Sequence, residues 1–114
     1  GIWIGTYYGG VNYISPNTGQ FESFVHSRFS NSVNGIVIGR FCEDSNGDVW
    51  IASDDGGLNR FSPKNRKFSH YLPLEGKNSL SYHNVHALCM DDDNLWIGTY
   101  TGGVNVLKSA NGNF

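Results

Sequence analysis

Asn46-Gly47-Asp48-Val49-Trp50-Ile51-Ala52-Ser53-Asp54-Asp55-Gly56-Gly57-Leu58-Asn59-Arg60-Phe61-Ser62-Pro63 is the stretch that decides the fold. Its Asn-Gly pair is the strongest short-range hairpin signal, because both residues tolerate positive φ. Val49 to Ser53 then reads as a strand, Asp54-Asp55-Gly56-Gly57 as a turn, and Leu58 to Ser62 as the next strand. Pro63-Lys64-Asn65-Arg66 turns the chain again. Working outward, Ile36 to Cys42 is a β-branched run before the hairpin, and Phe68 to Leu72 is another after the last turn. Four short strands joined by tight turns make an up-and-down antiparallel sheet. No segment carries apolar residues at helical spacing over a useful length.

This unit is one copy of a repeat. Trp3, Trp50 and Trp96 recur at spacings of 47 and 46 residues, and Phe21, Phe68 and Phe114 keep the same register. Gly9-Gly10-Val11-Asn12, Gly56-Gly57-Leu58-Asn59 and Gly102-Gly103-Val104-Asn105 lie between them. Ser15-Pro16 returns as Ser62-Pro63, while the third copy has Lys108-Ser109 there. A period of this length is the mark of a repeat architecture. The runs Ile2-Trp3-Ile4, Val49-Trp50-Ile51-Ala52 and Leu95-Trp96-Ile97 are continuously apolar, so both faces of each sheet expect a cover. A repeated four-stranded sheet buried on both faces is a propeller blade between neighbouring blades. The expected fold is therefore all-β: a fragment of a β-propeller with about two and a half four-stranded antiparallel blades. Residues 1–30 form a partial blade, 31–77 a complete blade and 78–114 a partial blade. The first lacks its inner strand and the third its outer one.

Composition agrees and excludes some functions. Only 16% of residues are charged and 15 are glycine, which suits many tight turns and few solvated helical faces. The net charge of −2 and the lack of any Lys/Arg block leave no electrostatic footprint for nucleic acid. No apolar run approaches the ~20 residues a membrane span needs, so this segment is expected to make no membrane contact.

Asn78-Ser79-Leu80-Ser81, Val85, Leu88, Asp91, Leu95-Trp96-Ile97-Gly98-Thr99 and Gly102-Gly103-Val104-Asn105 resemble the two-component regulator propeller repeat. The middle copy is similar through Phe41-Cys42-Glu43-Asp44, Gly47, Trp50-Ile51, Gly56-Gly57-Leu58-Asn59-Arg60-Phe61 and Phe68. Two departures stand out: Ala52-Ser53 replaces Gly-Thr, and the turn at Asp92-Asp93-Asn94 is one residue short. The resemblance implies a periplasmic sensor region of a hybrid two-component system, the extracytoplasmic part of an inner-membrane protein that carries a histidine kinase. It also implies an oligosaccharide cue derived from a polysaccharide. The alternative is a structural or protein-interaction propeller with no small-molecule ligand. The expected partners are an oligosaccharide, and either further copies of the chain or the remaining blades of a parent protein.

Nothing in the chain argues for catalysis: there is no Gly-x-Ser-x-Gly elbow, phosphate-cradling loop or paired-carboxylate constellation on the inner strands. The segment is read as non-catalytic, with no cofactor. The tryptophans are expected in the core rather than as sugar platforms. The acidic stretch Glu43 to Asp48 is expected to be a solvated hairpin turn; counted from Asp44, Val49 and Asp55 stand where a calcium loop needs Gly and Glu. His83-x-x-His86 lacks a third metal ligand, so no metal is expected. Cys42 and Cys89, on the inner strands of successive blades, are expected to be reduced and largely buried. Facing sheets lie about 10 Å apart, too far for a disulfide. The candidate binding residues are those that vary inside the constant frame, on the rim shared by the second-to-third-strand turns and the blade-to-blade connections: Tyr7, Tyr8, Arg28, Asp54, Asp55, Tyr82, His83 and Tyr100. His26, Asn31, His70, Glu75, Lys77 and Asn84 are assigned to the same rim.

Overall fold

The computed structural model describes residues 1–109 and 111–114. Ten strands form three antiparallel sheets, and the described residues contain no helix. The first sheet holds β1 (Ile2–Gly5), β2 (Val11–Ile14) and β3 (Phe21–Phe24). The second holds β4 (Ile38–Glu43), β5 (Val49–Ser53), β6 (Gly57–Ser62) and β7 (Lys67–Tyr71). The third holds β8 (Val85–Asp91), β9 (Asn94–Thr99) and β10 (Val104–Lys108). Trp50 pairs across to Cys42 and Arg60, and Trp96 pairs to Cys89 and Val106, so the sequence repeat is also a repeat of register.

Strand alternation sorts each blade's apolar residues onto two faces. On one face of the middle blade Val49, Ile51 and Phe61 meet Trp3 and Phe24 of the first sheet, in a core that also holds Val11 and Val33. On its other face Trp50, Ala52 and Leu58 meet Leu95, Ile97 and Leu107 of the third. Each blade thus turns its tryptophan toward the following blade and its flanking aliphatics toward the preceding one. Trp50 is fully buried, whereas Trp96 is 45% exposed because no fourth sheet lies over it. The expectation that all three tryptophans are core residues therefore needs correcting at Trp96.

The cysteines follow the same rule. Both are free thiols. Cys42 shares the face of Trp50 and is half-buried, and burial pushes its thiol pKa up. Cys89 shares the open face of Trp96 and is exposed, contrary to the expectation of burial.

The acidic hairpin is not a solvated turn at Asp44, which is buried. Its Oδ1 accepts the Asn46 and Asp48 N–H groups at 2.9 and 3.1 Å. Its Oδ2 accepts the Trp50 indole N–H at 2.9 Å. Arg60 lies 4.8 Å over the Trp50 ring and bonds Asp48 at 2.8 Å. One carboxylate thereby closes the hairpin and satisfies the polar edge of a buried indole, which otherwise loses a hydrogen bond on leaving water.

β4 begins at Ile38 rather than Ile36, because Ile36 and Val37 are engaged elsewhere. Tyr8 N–H donates to Ile36 C=O at 2.7 Å, and Tyr7 bridges Val37, stitching the first blade's turn to the second blade's entry. The inner strands β4 and β8 each shift register just after this entry, at Gly39 and at His86.

Candidate functional site

The rim is built from three repeated devices. In the glycine pair, the first residue gives room: a Cβ on Gly56 would lie 2.3 Å from the Asn34 carbonyl, and one on Gly102 would lie 2.6 Å from Tyr82 Cβ. The second, Gly10, Gly57 or Gly103, takes a positive φ of 73 to 77° that disfavours side chains. The third device is the asparagine two residues on. Asn59, buried, accepts the Asn34 N–H at 2.7 Å and donates to the Asn34 carbonyl at 3.0 Å. Asn105 likewise accepts from Ser81 N–H and donates to Ser81 Oγ. In the second and third blades this Asn therefore clamps the incoming connection onto the third strand, whereas Asn12 accepts only the Ser23 hydroxyl; sequence reading missed the role although the recurrence was visible.

The candidate residues separate on this frame. Asp55 is bound to the connection: it accepts Ile36 and Val37 N–H groups at 3.1 Å and the Ser53 hydroxyl at 2.9 Å. Burial works against its charge, but the Val37 N–H, the Ser53 hydroxyl and the Ile36 N–H outweigh it and hold the carboxyl below its ordinary pKa. Ser53 has this role because the middle copy carries Ser where the others carry Thr, whose hydroxyls bond the Gly10 and Gly103 carbonyls instead. Tyr82 and His83 stack on each other at 4.5 Å, and the His83 carbonyl accepts the Gly57 N–H.

Arg28 lies 4.8 Å from the Phe29 ring, in a connection that runs along the outer edge of β7. There Asn31 accepts Phe68 N–H and donates to the Arg66 carbonyl, and His70 bonds the Ser32 carbonyl. That connection covers an edge strand that would otherwise offer free backbone groups. It places Asn31 on the blade's outer edge rather than on the rim assigned to it.

Tyr7 and Asp54 do come together, with Val37, Gly39, Arg40, Val85 and His86, around a cleft of about 180 Å³. Asp54 Oδ1 stands 2.5 Å from His86 Nε2 and accepts from Asn84 Nδ2 at 3.2 Å. Tyr100 meets the His86 ring edge-on at 5.4 Å, and Tyr8 meets Tyr7 at 6.2 Å. Residues from all three blades thus converge on one concavity whose lining is as apolar as it is polar. Arg40 and His86 were not among the site residues expected. The available signal was that Gly39 and His86 are 47 residues apart, the repeat spacing, and both sit where the inner strand bulges. Bulges re-aim side chains and cluster beside functional sites.

A second cleft, of about 320 Å³, opens at the first interface and is lined by Trp3, Tyr13, Phe24 and Phe61. The Arg66–Glu22 ion pair crosses it. Among the described residues no group of three or more His, Cys, Asp or Glu side chains gathers as a metal site would require. No helix among them is long and apolar enough to cross a membrane.

Residues 30–55 and 79–101 match the family model described as two component regulator propeller. The extracellular domain of the hybrid two component system BT3049 from B. thetaiotaomicron superposes with a TM-score of 0.83 at 26% identity, over 98% of this chain and 16% of that one. The extracellular domain of the hybrid two component system BT4673 from the same organism superposes with a TM-score of 0.75 at 22% identity, over 96% and 15%. The second likeness speaks to fold alone. The chain spans about a sixth of the length of these structures. No curated protein matches it.

Proposed function

We propose that these blades, which match the two component regulator propeller model over residues 30–55 and 79–101, belong to an extracytoplasmic ligand-sensing propeller of a hybrid two-component sensor. In this reading the ligand is an oligosaccharide derived from a polysaccharide, and the segment is a periplasmic, non-catalytic part of the receptor.

The observation that carries the reading is the cleft where Tyr7, Arg40, Asp54 and His86 meet. Its residues come from three successive blades, so an occupant spanning them would favour one inter-blade arrangement over others. A ligand shifts an equilibrium by its differential affinity for the two states, and a site divided between blades provides that difference. Exposed tyrosines beside carboxylate, imidazole and guanidinium groups suit a ligand with hydroxyl-rich edges and weakly apolar faces. The extracellular setting of the similar BT3049 structure supports the compartment.

Thermal unfolding of the intact protein against a panel of plant and host oligosaccharides tests this. One member is expected to raise the midpoint in a concentration-dependent way. If none does, while a protein partner is retained on the same blades, the structural or interaction reading replaces it.

A further inference from the structure

Charge in the cleft is unequally satisfied. Of the guanidinium groups in the middle blade, Arg60 holds Asp44 and Asp48, and Arg66 holds Glu22. Arg40, exposed on β4, donates only to its neighbour's carbonyl, Gly39 C=O, at 3.1 Å, and no described carboxylate lies within ion-pair distance of it. Asp54, on the same cleft, has one oxygen engaged: Oδ1 takes both His86 Nε2 and Asn84 Nδ2. Its Oδ2 has no hydrogen-bond partner among the described residues and is open as an acceptor. The cleft therefore offers one cation without a counter-charge, one free carboxylate oxygen and the 74%-exposed ring of Tyr7.

We propose that this cleft binds an acidic sugar, a polyhydroxylated ring bearing a carboxylate or sulfate, with Arg40 on the anionic group and Asp54 Oδ2 on ring hydroxyls. The inference rests on the sensing reading above and narrows its ligand class. Guanidinium pairs with carboxylate and with sulfate oxygens through two parallel N–H donors, a geometry an ammonium cannot supply. With Oδ1 engaged by His86 and Asn84, Asp54 Oδ2 keeps its capacity to accept from hydroxyls. Tyr7 offers its face to the ring, braced edge-on by Tyr8. At about 180 Å³ the cleft is smaller than sites for drug-sized ligands, which suits a single ring of such an oligosaccharide.

Ligand-observed NMR titration of the intact protein with glucose, glucuronate and glucose 6-sulfate tests the inference. At least one of the two acids is expected to bind ten times or more tightly than glucose, and which acid does so separates the carboxylate source from the sulfate source. Arg40→Gln is expected to abolish that preference with the thermal midpoint unchanged, whereas Lys64→Gln, on the exposed β6–β7 turn, leaves it intact. Asp54→Asn is expected to weaken both acids and glucose together. A preference that survives Arg40→Gln, or that Lys64→Gln removes as readily, overturns the inference. Glucose binding as tightly as the acids also overturns it while leaving the sensing reading in place. If none of the three sugars binds, the inference is lost, and the oligosaccharide panel decides the broader reading separately.

Discussion

Trp50 and Trp96 stand at one position of one repeat, yet the first is fully buried and the second is 45% exposed. The local strands are alike: each tryptophan lies on the second strand of its sheet, paired to a cysteine on the first. What differs is the cover. Trp50 has the third sheet over it, together with Arg60 on its ring and Asp44 on its indole nitrogen. At the matching place in the third sheet Val106 pairs with Trp96, and the face beyond is open. The comparison teaches that a blade's interior is made jointly with the next blade, so equivalent residues differ in energy according to their place in the series.

The largest expected effect breaks or upholds this directly. In urea unfolding, Trp50→Ala is expected to cost roughly 3–5 kcal/mol, as for other buried aromatics, whereas Trp96→Ala costs about 1 kcal/mol or less. Equal losses would mean that the third sheet is covered in solution. Such a cover would be another copy of the chain or further blades, because an exposed apolar face of this kind favours association. Sedimentation equilibrium of Trp96→Glu then sharpens the point, with a fall in average mass expected if copies pair through that face.

Asp44→Asn comes next, with an expected loss of about 1.5–3 kcal/mol, since charge-assisted bonds to the indole and to Arg60 are removed from a buried group. Its third-sheet counterpart, Asp91→Asn, lies exposed at the end of β8 and is expected to stay within about 0.5 kcal/mol. Denaturant midpoints of the two variants check the contrast.

Smaller still is the asparagine series. Asn59→Ala leaves the Asn34 N–H and carbonyl without partners at a buried site, for an expected cost of about 1–3 kcal/mol. Asn12 has only the exposed Ser23 hydroxyl as partner, and Asn12→Ala is expected to be close to neutral. Hydrogen exchange at residues 33–36 is the local readout, with faster exchange expected in Asn59→Ala alone.

The smallest effect concerns pH. The folded-state pKa of Asp55 lies below its unfolded value, so the unfolded chain binds the proton more readily. Stability from this group is therefore complete above about pH 4, the unfolded carboxylate value, and is lost as pH falls through the lower folded pKa. Comparing the acid limb of wild type with that of Asp55→Asn checks the sign: the variant is expected to lose less stability on acidification.

Much of the fold was legible because it is written in short-range signals. Asn46-Gly47, the glycine pairs and Pro63 mark turns whose φ demands are local, and the strands between them fell within two residues of expectation. The displaced start of β4 was not legible, since Ile36 and Val37 bond a turn nearly thirty residues earlier. For the site, repeat variation pointed to the rim and to Tyr7 and Asp54. It did not distinguish Asp54, which faces the cleft, from Asp55, whose carboxylate is taken by the connection. Adjacent residues with one chemistry point opposite ways around a turn, and only backbone geometry assigns them.

The amino-acid sequence by itself determined the period, the strand number per blade, and the two-sided apolar character that makes a propeller blade. Each of these depends on side-chain alternation and turn chemistry within a few residues. Tertiary structure alone decided which tryptophan is buried, that Asp44 is an interior ligand of Trp50 rather than a solvated turn residue, and that Arg40 and His86 share a cleft with Tyr7. Those outcomes depend on which sheet packs against which, over separations of up to about eighty residues, and on an inner-strand bulge that turns His86 toward Asp54.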